Sequence, residues 1–221
     1  MIIDGHTHIF PDEVRENPEK FWKRDEVFRL LYHGPKSRMV GADNLIETMN
    51  AHGVDQAVIC GFPWKDIGLC RNHNDYLLES ALRYPGRLIP FSCVSAGDCT
   101  KAVSEIQRAM EKGARGVGEI AHYFSIELLW IRPLAEVAFA ARVPLLIHTN
   151  EEVGHPYPGK VMHGLPRLLE IISLFPQLTL ILAHWGGGLL FYELMPEVAR
   201  ATTRVFYDTA ASPYIYDARI Y

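Results

Sequence analysis

The chain has 221 residues, 48% of them hydrophobic, which is enough to bury one large core and too apolar for a disordered or fibrous protein. Its 26 acidic and 22 basic residues leave a formal charge of −4 without long runs of one sign. That balance argues against an electrostatic grip on nucleic acid or an anionic membrane, and points to a small-molecule partner. No stretch approaches the roughly 20 apolar residues of a membrane helix. Met1-Ile2-Ile3-Asp4 has none of the marks of a secretory leader, so a cytoplasmic protein is expected, with 1–221 as one domain. Cys60, Cys70, Cys93 and Cys99 lack C-x-x-C spacing and read as reduced thiols.

Along the chain, short β-branched apolar runs alternate with longer segments of helical period. Strands are predicted at 1–8, 54–61, 87–95, 115–121, 143–150, 178–185 and 205–210. After the first comes a long irregular stretch, 10–41, whose Phe21, Trp22, Phe28 and Tyr32 read as a small packed excursion or a homodimer interface ahead of a substrate lid. Asp43 is expected to cap a helix ending at His52-Gly53, where His52 suits the macrodipole. Asn72 or Asn74 is expected to start the next, which stops before Tyr84-Pro85-Gly86 and puts His73 in its first turn. Asp98 or Thr100 starts one ending at Gly113, and further helices are expected at 133–142, 165–175 and 189–201. The strands are nearly continuous apolar runs such as Leu145-Leu146-Ile147, as in parallel strands buried on both faces, so the chain reads as a barrel or a doubly wound sheet.

Buried strands that end in histidine need a reason, because an imidazole at that depth must find hydrogen bonds or a metal. The first ends Asp4-Gly5-His6-Thr7-His8, the fifth Ile147-His148-Thr149-Asn150 and the sixth Ala183-His184-Trp185-Gly186-Gly187-Gly188. His6 and His8, two apart, share a strand face with Cα atoms roughly 6.7 Å apart. Two histidines alone are more often structural. In a parallel barrel, however, all four imidazoles fall on the C-terminal rim, where such folds place their chemistry. Histidine ligands with a position left for water are what a catalytic zinc or related ion requires.

The fourth strand adds Glu119, which reads as a ligand, a bridge between two cations or a proton shuttle; the structural alternative is an ion pair to Lys160 or Arg132. Asp4 reads as a partner supporting the ligands rather than as one of them. The loop 151–164 carries His155, Tyr157, Lys160 and His163 as candidate substrate contacts, and His122 stands three residues past Glu119.

These residues resemble the amidohydrolase superfamily, and within it the amidohydrolase 2 branch, over nearly the whole chain. The carriers are the first-strand H-x-H, Tyr84-Pro85-Gly86-Arg87-Leu88-Ile89, His148, His184 with its Trp-Gly-Gly, and Phe206-Tyr207-Asp208-Thr209. The resemblance implies a distorted (β/α)8 TIM barrel with one or two divalent cations, usually zinc and sometimes manganese. It also implies that His184 either binds a second metal or shuttles protons. Gly118-Glu119 departs from the branch's decarboxylases and looks like the fourth strand of TatD-type deoxyribonucleases, whose glutamate bridges two metals.

The family's eighth strand supplies an aspartate as metal ligand and general base. This sequence has no such strand, and Asp208, on the seventh, is no obvious substitute. Seven strands also leave two edges unpaired, so the expectation is part of a longer polypeptide of roughly 250 residues.

The leading expectation is a metal-dependent hydrolase acting on an amide, ester or lactone of a small molecule. His6, His8 and His148 hold the metal, with Glu119 and His184 completing the centre and serving as catalytic groups. The alternative is a non-oxidative decarboxylase of the aminocarboxymuconate semialdehyde decarboxylase type, and a further one is a barrel that binds metal without catalysis.

Overall fold

A computed structural model of the chain describes residues 1–34, 37–95, 98–121, 128–157, 159–160 and 164–221, with the Leu128 side chain excepted. His122 and His163 lie outside the described residues. The strands are β1 (Ile3–His8), β2 (Gln56–Cys60), β3 (Leu88–Ser92), β4 (Gly116–Ile120), β5 (Leu145–Ile147), β6 (Leu180–Leu182) and β7 (Val205–Tyr207). They form one sheet in chain order, each paired in parallel with the next. With helices packed outside, this is a (β/α)8 TIM-barrel fold showing seven strands among the described residues. The sheet curls far enough for His6 Nδ1 of β1 to lie 2.8 Å from Asp208 Oδ2, just past β7.

All seven strands fall where the apolar runs predict them, but each is shorter. Pairing in β5 stops at Ile147 and in β6 at Leu182, so His148 and His184 stand just past the ladder. The rim therefore begins where the hydrogen-bonded sheet ends.

The helices are α1 (Asp12–Glu16), α2 (Pro18–Trp22), α3 (Glu26–Tyr32), α4 (Ala42–His52), α5 (Ile67–Arg83), α6 (Cys99–Glu111), α7 (Leu128–Ala141) and α8 (Leu165–Leu174). Several starts differ from expectation. Gly41, not Asp43, caps α4; Asp43 sits in the first turn and accepts from the Tyr84 hydroxyl at 2.5 Å. Asp66 begins α5, its carboxylate taking the amides of Gly68 (2.8 Å) and Leu69 (3.3 Å). His73, Asn74 and Asp75 are thus in mid-helix, with His73 and Asn74 buried. Asp98 caps α6 as expected. Pro133 lies inside α7 rather than at its start. The segment 189–201 breaks in two, because Pro196 holds Met195 extended between a 3-10 turn, Leu189–Leu194, and the helix Pro196–Ala201.

Leu145 and Ile147 face outward into the core shared with α6, α7 and α8, while Leu146 and Ala183 face inward with Val58, Cys60 and Phe91 as the floor below the rim. All four cysteines are free. No helix among the described residues is long and apolar enough to cross a membrane.

The described residues of the stretch 10–41 include three short helices. These, α1 to α3, fold around Phe28, which is fully buried against Phe10, Phe21, Phe62 and Trp64, the Trp64 ring at 4.5 Å. A detachable lid would not bury its central ring. Phe28→Ala should therefore cost about 3–5 kcal/mol of stability, read from urea denaturation; an unchanged midpoint would mean that the excursion is not part of the core.

Candidate metal centre

The parallel ladder is interrupted where the functional side chains stand. The β1–β2 register shifts between Asp4 and Thr7, around Gly5-His6, and the β4–β5 register shifts between Val117 and Ile120, around Gly118-Glu119. Such irregularities re-aim side chains that a regular pleat would send elsewhere. Gly118 is required there. Its φ is +130°, and a Cβ would run into the Leu146 carbonyl oxygen and lie 2.8 Å from the Leu146 Cβ.

His6, His8, Glu119, His148 and His184 come together at the C-terminal rim. His6 Nε2 is 2.9 Å from His8 Nε2 and 3.6 Å from Glu119 Oε2, and His8 Nε2 is 3.4 Å from that oxygen. On the other side of the carboxylate, His148 Nδ1 is 2.8 Å and His184 Nε2 3.9 Å from Glu119 Oε1. The donor atoms form two groups that share Glu119: His6 and His8 with Glu119, and His148 and His184 with Glu119. The ion pair of Glu119 with Lys160 or Arg132 is replaced by these imidazoles; Lys160 Nζ instead donates to the carbonyls of Val153 (2.8 Å) and His155 (3.3 Å).

Three of the rings are oriented by acceptors outside the cluster. His6 Nδ1–H donates to Asp208 Oδ2 (2.8 Å), His8 Nδ1–H to the Gly61 carbonyl (3.1 Å) and His184 Nδ1–H to the Ala210 carbonyl (2.8 Å). Because carbonyls and carboxylates only accept, each Nδ1 carries a proton and each Nε2 turns inward. Two lone pairs facing each other at 2.9 Å, His6 against His8, repel unless a proton or a cation lies between them. At metal–nitrogen distances of about 2.1 Å, adjacent ligands stand roughly 3.0–3.4 Å apart. The 2.9, 3.4 and 3.6 Å edges of the first group fit one divalent ion.

Electrostatics agree. Burial works against a charged His6, but Glu119 and Asp208 outweigh it and push the imidazole up to about 10. Burial would raise Glu119, yet His6 and then His148 hold its carboxyl well below the usual range. Burial and then the neighbouring His148 depress His184. A buried carboxylate that stays anionic among imidazoles could hold a cation in place of the shared protons.

The strand-to-loop turn that presents His184 is strained. His184 (φ 53°) and Trp185 (φ 59°) are left-handed without being glycine, at a cost of about 1–2 kcal/mol each. Asp208 pins them, with Oδ1 accepting from His184 N (3.0 Å) and its carbonyl from Trp185 N (2.9 Å). Gly187 is needed for space, since a Cβ there would lie 2.7 Å from the Asn150 carbonyl oxygen.

The sequence pattern of the amidohydrolase family (Amidohydro_2) matches residues 3–219. The chain belongs to that family. No curated protein matches it significantly in sequence. Among solved structures, the chain is similar to a 5-carboxyvanillate decarboxylase from Novosphingobium aromaticivorans, crystallised with manganese and 3-methoxy-4-hydroxy-5-nitrobenzoic acid. The two are 18% identical with a TM-score of 0.70, over 99% of this chain and 89% of that one. It is similar to the Sphingomonas paucimobilis enzyme of the same name at 16% identity and TM-score 0.72, over 94% and 80%. It is also similar to a 2,6-dihydroxybenzoate decarboxylase from Rhizobium at 21% and 0.60, over 87% and 69%.

Other candidates fall away or come forward. Asp4 accepts from the His6 amide (3.2 Å) and is exposed. His155 is exposed and packs on Tyr157 at 5.7 Å, and none of the described contacts of either reaches the cluster. Asp208, dismissed on sequence, is buried and central; the visible signal was a carboxylate at the C-terminal end of a barrel strand. Tyr32 of α3 is half-buried against Phe10 and Phe28, and burial and then the charge of Glu119 push its phenol up. Asp208→Ala should weaken divalent-cation binding by about 10- to 100-fold, as removal of a ligand-orienting carboxylate does. Calorimetric titration with manganese checks this, and unchanged affinity would remove Asp208 from the centre.

Proposed function

We propose that this amidohydrolase is a metal-dependent lyase that removes CO2 from a small hydroxylated aromatic or unsaturated acid. The observation that carries a metal-dependent reaction is the donor set, four imidazoles around one buried carboxylate at the rim. The similar folds named above are decarboxylases of hydroxylated benzoates, which weighs toward CO2 loss over hydrolysis. His6, His8 and Glu119 hold the cation, with His148 completing the centre and His184 left off the ion as the proton carrier. Manganese is the favoured ion, since it occupies the 5-carboxyvanillate decarboxylase, and zinc suits the same ligands. When bound, the ion supplies a Lewis acid for a substrate oxygen.

The chain's own residues do the rest. Glu119, held anionic, fixes the ion's position, and the Nδ1–H bonds of His6 and His8 keep their lone pairs aimed at it. His184 Nε2 faces the cluster and, once it has taken a proton from water while Nδ1–H stays on the Ala210 carbonyl, delivers that proton to the ring carbon. That carbon takes the proton as its bond to the carboxylate breaks, the bonding pair stays with the carbon, and CO2 leaves. Water returns the proton to His184 Nε2.

A second reading, hydrolysis at a two-ion centre, is favoured by the division of Glu119, with Oε2 toward His6 and His8 and Oε1 toward His148 and His184. The deciding experiment supplies metal-replete protein with hydroxybenzoates, lactones and amides. CO2 release without hydrolysis, with one metal equivalent, is the expected result. Hydrolysis with two equivalents and no CO2 would replace the lyase reading, and no turnover of any of them would reject both. His184→Gln should lower turnover about 100-fold or more as a lost general acid while retaining the ion; near-normal turnover would take the proton off His184.

A further inference from the structure

Outside the cluster, α5 carries a buried imidazole that the proposed reaction does not use. His73 is 2% exposed and fully bonded. Its Nδ1 accepts from the Phe62 amide (3.2 Å) and the Trp64 indole N–H (3.1 Å), and its Nε2–H donates to the Ile9 carbonyl (2.7 Å). Two donors onto Nδ1 and one acceptor at Nε2 fix a single neutral tautomer. Burial holds the ring's pKa down, to about 4, so the tautomer persists around neutrality.

The partners of His73 bracket His8. Ile9 follows His8 directly, so Nε2–H ties down the backbone that carries the ligand. On the other side, the Phe62 N–H and the Gly61 C=O belong to one peptide group, which is planar with the two bonds fixed relative to each other. His73 Nδ1 holds the N–H end of that plane while the C=O end accepts from His8 Nδ1–H at 3.1 Å. The run His73 Nδ1, Phe62 N–H, Gly61 C=O, His8 Nδ1–H is a continuous chain of hydrogen bonds in which each polarises the next. Its last member sets the direction of the His8 Nε2 lone pair. Gly61 leaves the room: a Cβ there would stand 3.0 Å from the His73 ring.

We propose that His73 is a positioning residue for the metal centre, fixing the tautomer and orientation of His8 through the Gly61–Phe62 peptide and its backbone through Ile9. This rests on the cation being held by His6, His8 and Glu119.

The test is calorimetric titration of metal-free protein with manganese, together with thermal unfolding. His73→Leu, which removes every bond, should raise the manganese Kd about 10-fold or more. His73→Asn puts an amide oxygen near the place of Nδ1 and should restore the Kd to within about threefold of wild type. A role in stability alone predicts that binding follows the melting temperature, with no rescue by Asn in a protein of equal stability. The proposal is overturned if His73→Leu binds manganese like wild type, or if His73→Asn is stable and binds as weakly as His73→Leu. Should the leucine variant not fold, the nitrogen-15 histidine spectrum of the wild-type protein decides: His73 protonated at Nε2 and His8 at Nδ1 is the expected pattern, and either ring in the other tautomer rejects the relay. Failure of the wild-type protein to bind manganese is a different result, which removes the metal-centre reading itself.

Discussion

The rim is organised by one buried carboxylate. Glu119 is 5% exposed, and an anion taken out of water at that depth is tolerable only with compensating charge and hydrogen bonds. The compensation comes from far along the chain: His6 and His8 on β1, His148 after β5 and His184 after β6. One electrostatic requirement thus draws four strands of the sheet to a point. It also explains why β1 and β4 give up regular pairing, since an unbroken pleat would not aim His6 and Glu119 at each other.

Around that point the protein spends its polar groups on orientation. Asp208, Gly61 and Ala210 each take an Nδ1–H from a ring of the cluster, leaving Nε2 for the centre. Asp208 does more than one task, because it also holds the left-handed turn at His184. Asn74, beside His73 on α5, clamps Cys93 through both its amide and its carbonyl (2.9 and 3.1 Å), and the Cys93 thiol reaches the Glu119 carbonyl at 3.2 Å. Two consecutive residues of one helix therefore brace β1 and β4 from outside.

Much of this was legible in the sequence because parallel strands buried on both faces leave continuous apolar runs, and histidine at the end of such a run is conspicuous. The seven strand positions and the meeting of His6, His8, His148, His184 and Glu119 follow from that pattern. What the pattern hides is contact between distant parts of the chain. Asp208 pairs with His6 across 202 positions, and its place at the end of a strand does not by itself say which ring it meets. Asn72 and Asn74 look like caps for α5, but the helical apolar spacing runs back to Asp66, whose Oδ1 takes the first amides while Oδ2 holds Arg24. The aromatic stretch 10–41 has no single period, so its three short helices show only in the packing around Phe28.

The junction between β1 and β7 is made by a side-chain bond, His6 to Asp208, and the same imidazole faces the centre with its other nitrogen. A cation drawing electrons from His6 Nε2 makes the Nδ1–H a stronger donor. In the proposed metal-bound state the His6–Asp208 bond would therefore strengthen, and the support at the end of β7 and the hold on the ion would share one ring.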